Sequence, residues 1–198
     1  TVNTDWNTAG NWSCNTLPTS TTDVTIPVVS NLPVVNTSGS AVCRTITIEA
    51  NASVTVNSGK DLTVYGNWAN NGQSNVGSGT VIFTGSSAQS VSGTTNFENL
   101  TLNKASNTVT LTGNTQVKGV LLPSAGTLAS NGYLTLVSTA TQTALIAAGS
   151  GTVSGNVTMQ RYMANRMGYH YYSSPFTAVP VSEFADEMGP IISGNPYI

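Results

Sequence analysis

From Asp23 to about Met159 the chain repeats one short unit, an alternating run of β-branched residues closed by Gly, Asn or Ser, and nothing else in it restricts the possible folds so tightly. Each run reads as a strand. Period two puts one pair of each run on a common face: Val24 and Ile26, Ile46 and Ile48, Val54 and Val56, Leu62 and Val64, Val81 and Phe83, Leu100 and Leu102, Val109 and Leu111, Leu134 and Leu136, Val157 and Met159. The residue between them is usually Thr (Thr25, Thr47, Thr55, Thr63, Thr101, Thr110, Thr135, Thr158), which suits an outward position on a strand. Many pairs start about 8 to 10 residues apart with no helical pattern between them, so the chain reads as all-β, either a solenoid or a sandwich. Short, similar corners such as Asn57-Ser58-Gly59, Thr112-Gly113-Asn114 and Ser130-Asn131-Gly132 favour a parallel β-helix with coils of about 20 to 27 residues. The β-sandwich is the alternative.

The composition agrees with this pattern and removes several function classes. Only 7% of the 198 residues are charged, with Lys+Arg 6, Asp+Glu 8 and a net charge of −2, whereas 30 Thr, 23 Ser, 21 Asn and 19 Gly make up nearly half the chain. Scattered single cations offer no basic face, so neither nucleic acid nor membrane insertion is an expected partner. The longest apolar stretch, Ala144 to Ala148, is far too short to span a bilayer as a helix. Eight carboxylates and one His give acid–base catalysis few combinations, and a binding or structural role is expected ahead of an enzyme.

The two cysteines, Cys14 and Cys43, read first as one disulfide made in an oxidising compartment, the alternative being two buried free thiols. Closing such a loop is worth roughly 3.6 kcal/mol in the chain-entropy account.

The chain divides into an N-terminal cap over 1–22, a repeat region over 23–159, and over 160–198 the start of a second β unit without an evident closing strand. That last part gathers Arg161, Arg166, His170, Glu183, Asp186 and Glu187, and Val181 to Met188 carries a helix signal with Ser182 as N-cap.

Three stretches in order carry a resemblance. They are Asp5-Trp6 with Gly10-Asn11-Trp12-Ser13 and Leu17-Pro18 through Ile26-Pro27; Gly79 to Gly85 with Ala88 to Gly93 and Phe97 to Asn103; and Val157 to Tyr162 with Tyr172-Ser173-Ser174-Pro175. Together the chain resembles the secreted β-helical repeat surface proteins of Bacteroidetes. The resemblance implies export as cargo of the type IX secretion machinery, an extracellular location on the cell surface and an adhesin-like role. It brings no catalytic residues to carry over.

Candidate sites are few. Trp6 and Trp12 are expected to plug the first coil, since an open solenoid end exposes apolar core and sheet edge. A sugar-stacking platform is the sharper alternative. Trp68, with Tyr65 nearby, falls in the longest irregular insertion, Asn67 to Gly79, and makes a possible contact surface. No catalytic, cofactor or metal residues are expected. Ser173-Ser174 lacks a nucleophile elbow, no His pair has zinc spacing, and four Asp cannot build repeated calcium loops. Asn-x-Ser/Thr occurs about as often as this composition gives by chance.

The expected function is therefore a non-enzymatic structural or adhesive surface protein whose partner is a glycan or an abiotic surface. The alternative is a carbohydrate-active β-helix enzyme or its carbohydrate-binding module, for which Glu49, Asp61 and Glu98 would be the carboxylates.

Overall fold

A computed structural model describes residues 1–36 and 41–163. The helix signal at Val181 to Met188 and the charged cluster from Arg166 to Glu187 lie outside the described residues.

The fold is a parallel β-solenoid of about six turns, built from three stacked columns of short strands. The first column holds Val24–Ile26, Ile46–Ile48, Trp68–Asn70 and Gln89–Gly93, then the C-terminal parts of Asn99–Leu111 and Val120–Ala129, then Thr152–Ser154. The second runs through Val34–Val35, Thr55–Val56, Thr95–Phe97, Thr115–Val117, Leu134–Leu136 and Val157–Met159, with single bridges at Val56–Gly77 and Asn75–Asn96 filling its gap. The third stacks Ala41–Cys43, Asp61–Val64, Thr80–Thr84 and the N-terminal parts of the two long strands, ending at Leu145–Ile146.

Every ladder among the described residues is parallel, which excludes the sandwich; the antiparallel pairing is a single bridge, Ser138–Thr143, inside one loop. Residues one coil apart stack in register, so Val24 lies under Ile46 and Trp68, and Trp68 under Val91. Coils vary from 19 residues (Val109 to Leu128) to 25 (Leu128 to Val153). Six of them advance about 30 Å at the spacing of neighbouring strands.

The alternation in the sequence accounts for the core. The inward residues from Val24 to Leu136 that period two selects are all buried, and Val157 and Met159 of the last coil pack partly buried against them. None of the outward threonines is buried. Seven glycines among the described residues hold the left-handed backbone that glycine accepts most easily. Gly93 has φ +78, and a Cβ there would sit 1.8 Å from the carbonyl oxygen of Asn70 one coil below, so any side chain would break the stack. Asn51, Asn107 and Asn131 hold comparable left-handed positions, which Asn tolerates better than most residues.

Two expectations change. The insertion Asn67 to Gly79 is not irregular: Trp68–Asn70 is a strand of the first column, and Trp-Ala-Asn obeys the same period with Trp68 and Asn70 inward. Trp68 is fully buried and offers no contact surface, whereas Tyr65 is 38% exposed. Nor does the disulfide exist. Cys43 is an inward residue of Ala41–Cys43, stacked beside Val64 in the core, while Cys14 is exposed in the N-terminal segment; both thiols are free. Period two commits Cys43 to the interior as a small apolar side chain.

Candidate functional site

The N-terminal segment is held to the first coil by backbone pairing. Asp5 bridges Val34 in parallel, the Trp6 amide donates to the Val34 carbonyl at 2.9 Å, and the Val34 amide donates to the Thr4 carbonyl at 2.6 Å. Trp6 is buried in the core, and Trp12 packs partly exposed against it, with ring centroids 4.8 Å apart and edge to face. The Trp12 indole N–H donates to the Trp6 carbonyl at 2.9 Å, which fixes the ring's orientation. Asn11 ties the segment together: its Oδ1 accepts from the amides of Val2 and Asn3, and its Nδ2 donates to Asn3 Oδ1 and the Asp5 carbonyl.

Between this segment and the first coils lies a groove of about 620 Å³. Its walls combine Trp12 and the rings of Pro18 and Pro27 with the polar side chains of Asn31, Asp23 and Glu49. Asp23 is engaged: Arg44 grips both carboxylate oxygens, with Nε donating to Oδ1 at 2.7 Å, and the Thr45 amide donates to Oδ1 at 3.2 Å. The Arg44 guanidinium holds the Asp23 carboxyl below its ordinary value. The pair is about half exposed, so it orients the corner more than it stabilises the fold. The Glu49 backbone pairs with Ile26 and Ala52, while its carboxylate has no hydrogen-bond or ion-pair partner among the described residues and is exposed at the groove wall.

The other carboxylates lie elsewhere. Asp61 is exposed at the start of a third-column strand, and Glu98 sits at the corner before Asn99, where it accepts from Gln142. Asp61 and Glu98 thus share one corner, since Asp61 is in register with Thr80 and Asn99, but stand two coils apart, and Glu49 lies at a different corner, after the first-column strand Ile46–Ile48. No group of three or more His, Cys, Asp or Glu among the described residues is placed to hold a metal ion.

Sequence reasoning missed a polar network inside the solenoid. Lys104 is 1% exposed, and its ammonium donates to the carbonyls of Gly85 at 3.2 Å and Ser87 at 2.8 Å and to Gln89 Oε1 at 2.6 Å. Gln89, itself buried, donates onward to the carbonyls of Val64 and Gly66 at 3.1 and 2.7 Å. Three successive coils are thereby tied through one side-chain pair. Burial pushes the Lys104 ammonium below its ordinary value, and three acceptors offset that cost. Asn70 does similar work, donating to the Gln73 and Thr94 carbonyls and accepting from the Gly72 amide, and the Trp68 indole N–H donates to Thr95 Oγ1 at 3.1 Å. No buried side-chain polar atom among the described residues lacks a partner.

The two thiols have opposite reactivity. Burial, assisted by the Asp23 charge, pushes the Cys43 thiol from 9.0 up to about 12. One thiol per folded chain, Cys14, is therefore expected to react with a thiol reagent in the absence of reductant, the second reacting only on denaturation. The raised value also sets a sign. Cys43 contributes to stability fully below about pH 9 and loses that contribution towards pH 12, as the unfolded chain's thiol ionises first. Cys43→Ala should lack this part of the alkaline decline, measured as the difference between the two denaturation curves across that window.

No curated protein and no solved structure matches the chain. One family model does, over residues 1–111, a span that includes the whole groove and the buried aromatic cluster. This β-solenoid protein therefore belongs to the family described as a domain of unknown function (DUF8693).

Proposed function

We propose that this chain is a structural and adhesive module of an exported surface protein, carried out of the cell as type IX secretion cargo and holding to glycan or abiotic surfaces through its outward faces. The observation that carries the reading is the in-register stacking of uncharged outward residues: Thr25, Thr47, Ala69 and Ser92 on the first column, and Asn96, Gln116, Thr135 and Thr158 on the second. Apart from Ala69, such rows present an uncharged hydrogen-bonding side chain at each coil, so many weak contacts act together on an extended partner. The parallel ladders beneath them give the rigidity that a stalk requires.

The export route rests on the resemblance of the Trp6 to Pro27, Gly79 to Asn103 and Val157 to Pro175 stretches to secreted Bacteroidetes surface proteins. A carbohydrate-active enzyme is the less supported reading, because Asp61 and Glu98 stand two coils apart at one corner and Glu49 lies at another.

Retention of the purified protein on insoluble polysaccharide and on polystyrene beads tests the adhesive reading. Because few charges contribute, the retained fraction should change less than about twofold between low salt and about 1 M salt, where charge–charge attraction is screened beyond about 3 Å. Absence of retention on every support, or elution by salt alone, would reject it.

A further inference from the structure

We propose that the N-terminal groove is a subsite for one or two rings of an uncharged glycan, with Trp12 as its flat wall and Glu49 and Asn31 as acceptors or donors for sugar hydroxyls. This rests on the adhesive reading and gives it a local ligand. A pyranose ring is amphipathic, with C–H faces and a rim of hydroxyls, and needs a flat apolar wall bracketed by polar groups. The groove has that composition. Trp12 is locked by its edge-to-face packing on Trp6 and by its indole bond to the Trp6 carbonyl, so little entropy remains to be lost when a ring stacks on it. Pro18 and Pro27 extend the apolar wall without adding donors, and the volume of about 620 Å³ falls within the range of small-ligand sites.

Charge selects among glycans. Asp5, Asp23 and Glu49 all line the groove, and Arg44 is already closed on Asp23, so a uronate, sialate or phosphate would meet net negative potential. A metal ion is disfavoured for another reason, since these carboxylates are not grouped closely enough to ligate one. A neutral polyol takes advantage of carboxylate acceptors at no such cost, through charge-assisted hydrogen bonds.

The test is calorimetric and fluorescence titration of the whole chain with neutral cello-, xylo-, manno- and β-1,3-gluco-oligosaccharides, with oligogalacturonate as the anionic arm and calcium chloride as the cationic arm. At least one neutral oligosaccharide should bind, with a change in tryptophan emission. Glu49→Gln, which keeps shape and removes charge, should raise its Kd about tenfold. Trp12→Phe, which keeps a ring against Trp6, should weaken binding and abolish the emission change, while Asp61→Asn on another corner should leave both unaltered. Failure of all neutral sugars, tighter binding of oligogalacturonate or calcium, or an unchanged Kd in both Glu49→Gln and Trp12→Phe would overturn the proposal. The retention assay separates the two readings. Unaltered bead retention by wild type and Glu49→Gln together with no sugar binding removes the groove alone, whereas loss of wild-type retention removes adhesion whatever the groove binds.

Discussion

Trp68→Ala is expected to lower unfolding stability by about 4 kcal/mol, the usual scale for removing a large aromatic from a packed core. Trp68 meets Phe97 edge to face with centroids 5.4 Å apart and Phe83 at 6.5 Å, and those two rings meet each other at 90°. The three rings come from the three different columns, so they fill the centre of the coil stack where no aliphatic pair could reach across. The substitution removes both ring contacts and one of the two donors to Thr95 Oγ1, the other being Asn70 Nδ2 at 3.3 Å. Urea denaturation should show the full loss, with Tm falling by about 10 °C for a unit of this size. Trp68→Phe keeps most of the packing and should cost only about 1 to 2 kcal/mol, mainly the missing indole bond. Tyr65→Ala, three residues away on the outside, should stay within about 1 kcal/mol. Equal effects at Trp68 and Tyr65 would contradict the inward assignment.

Lys104→Met should cost about 3 kcal/mol, although methionine fills much of the same volume. The ammonium satisfies two backbone carbonyls and Gln89 Oε1, and removing it takes a donor from all three and leaves the buried Gln89 Oε1 without a partner. Gln89→Leu in the same chain removes the stranded Oε1 but also the donor to the Val64 and Gly66 carbonyls, so the double variant should lose less than the sum of the two single changes. Non-additivity in that double-mutant cycle, read by denaturant melts, measures the coupling directly. Lys60→Met and Lys118→Met, neither of them buried, should fall within about 0.5 kcal/mol of wild type. A similarly small change at Lys104 would mean that its three bonds contribute nothing net.

The same contrast explains what the sequence could and could not convey. Alternation identifies the inward Val, Ile, Leu and Phe of the clearest runs, though not Val35, Val91, Phe97, Val117, Leu121 or Leu128, and stacking of similar short units points to the parallel solenoid. Polar inward positions have no such signature. Asn70, Gln89 and Lys104 look like surface residues, since their burial depends on carbonyls brought beside them by neighbouring coils some 15 to 25 positions away in sequence. Trp68 was hidden for a related reason: it lies among Gly and Asn corners, which read locally as loop. The disulfide failed differently. Count and compartment suggest a pair, yet Cys43 has an inward place at the end of Ala41–Cys43 that holds its thiol in the core. For the groove, the sequence shows the two tryptophans, but Glu49 and Trp12 line one groove only because the N-terminal segment folds back over the first coils.

The account stands or falls on whether adhesion comes from the uncharged outward rows. The most direct measurement places glutamates on one column at a time, two coils or more apart so that they do not repel along a row: Thr25→Glu with Thr110→Glu, Thr55→Glu with Thr135→Glu, and Thr63→Glu with Thr101→Glu. Each folded variant, checked by its circular dichroism and melting curve, is then scored for retention on the supports that hold the wild type. Loss of most retention in at least one of the three, with the fold intact, is the expected result. Retention that survives charge on every column would contradict the account.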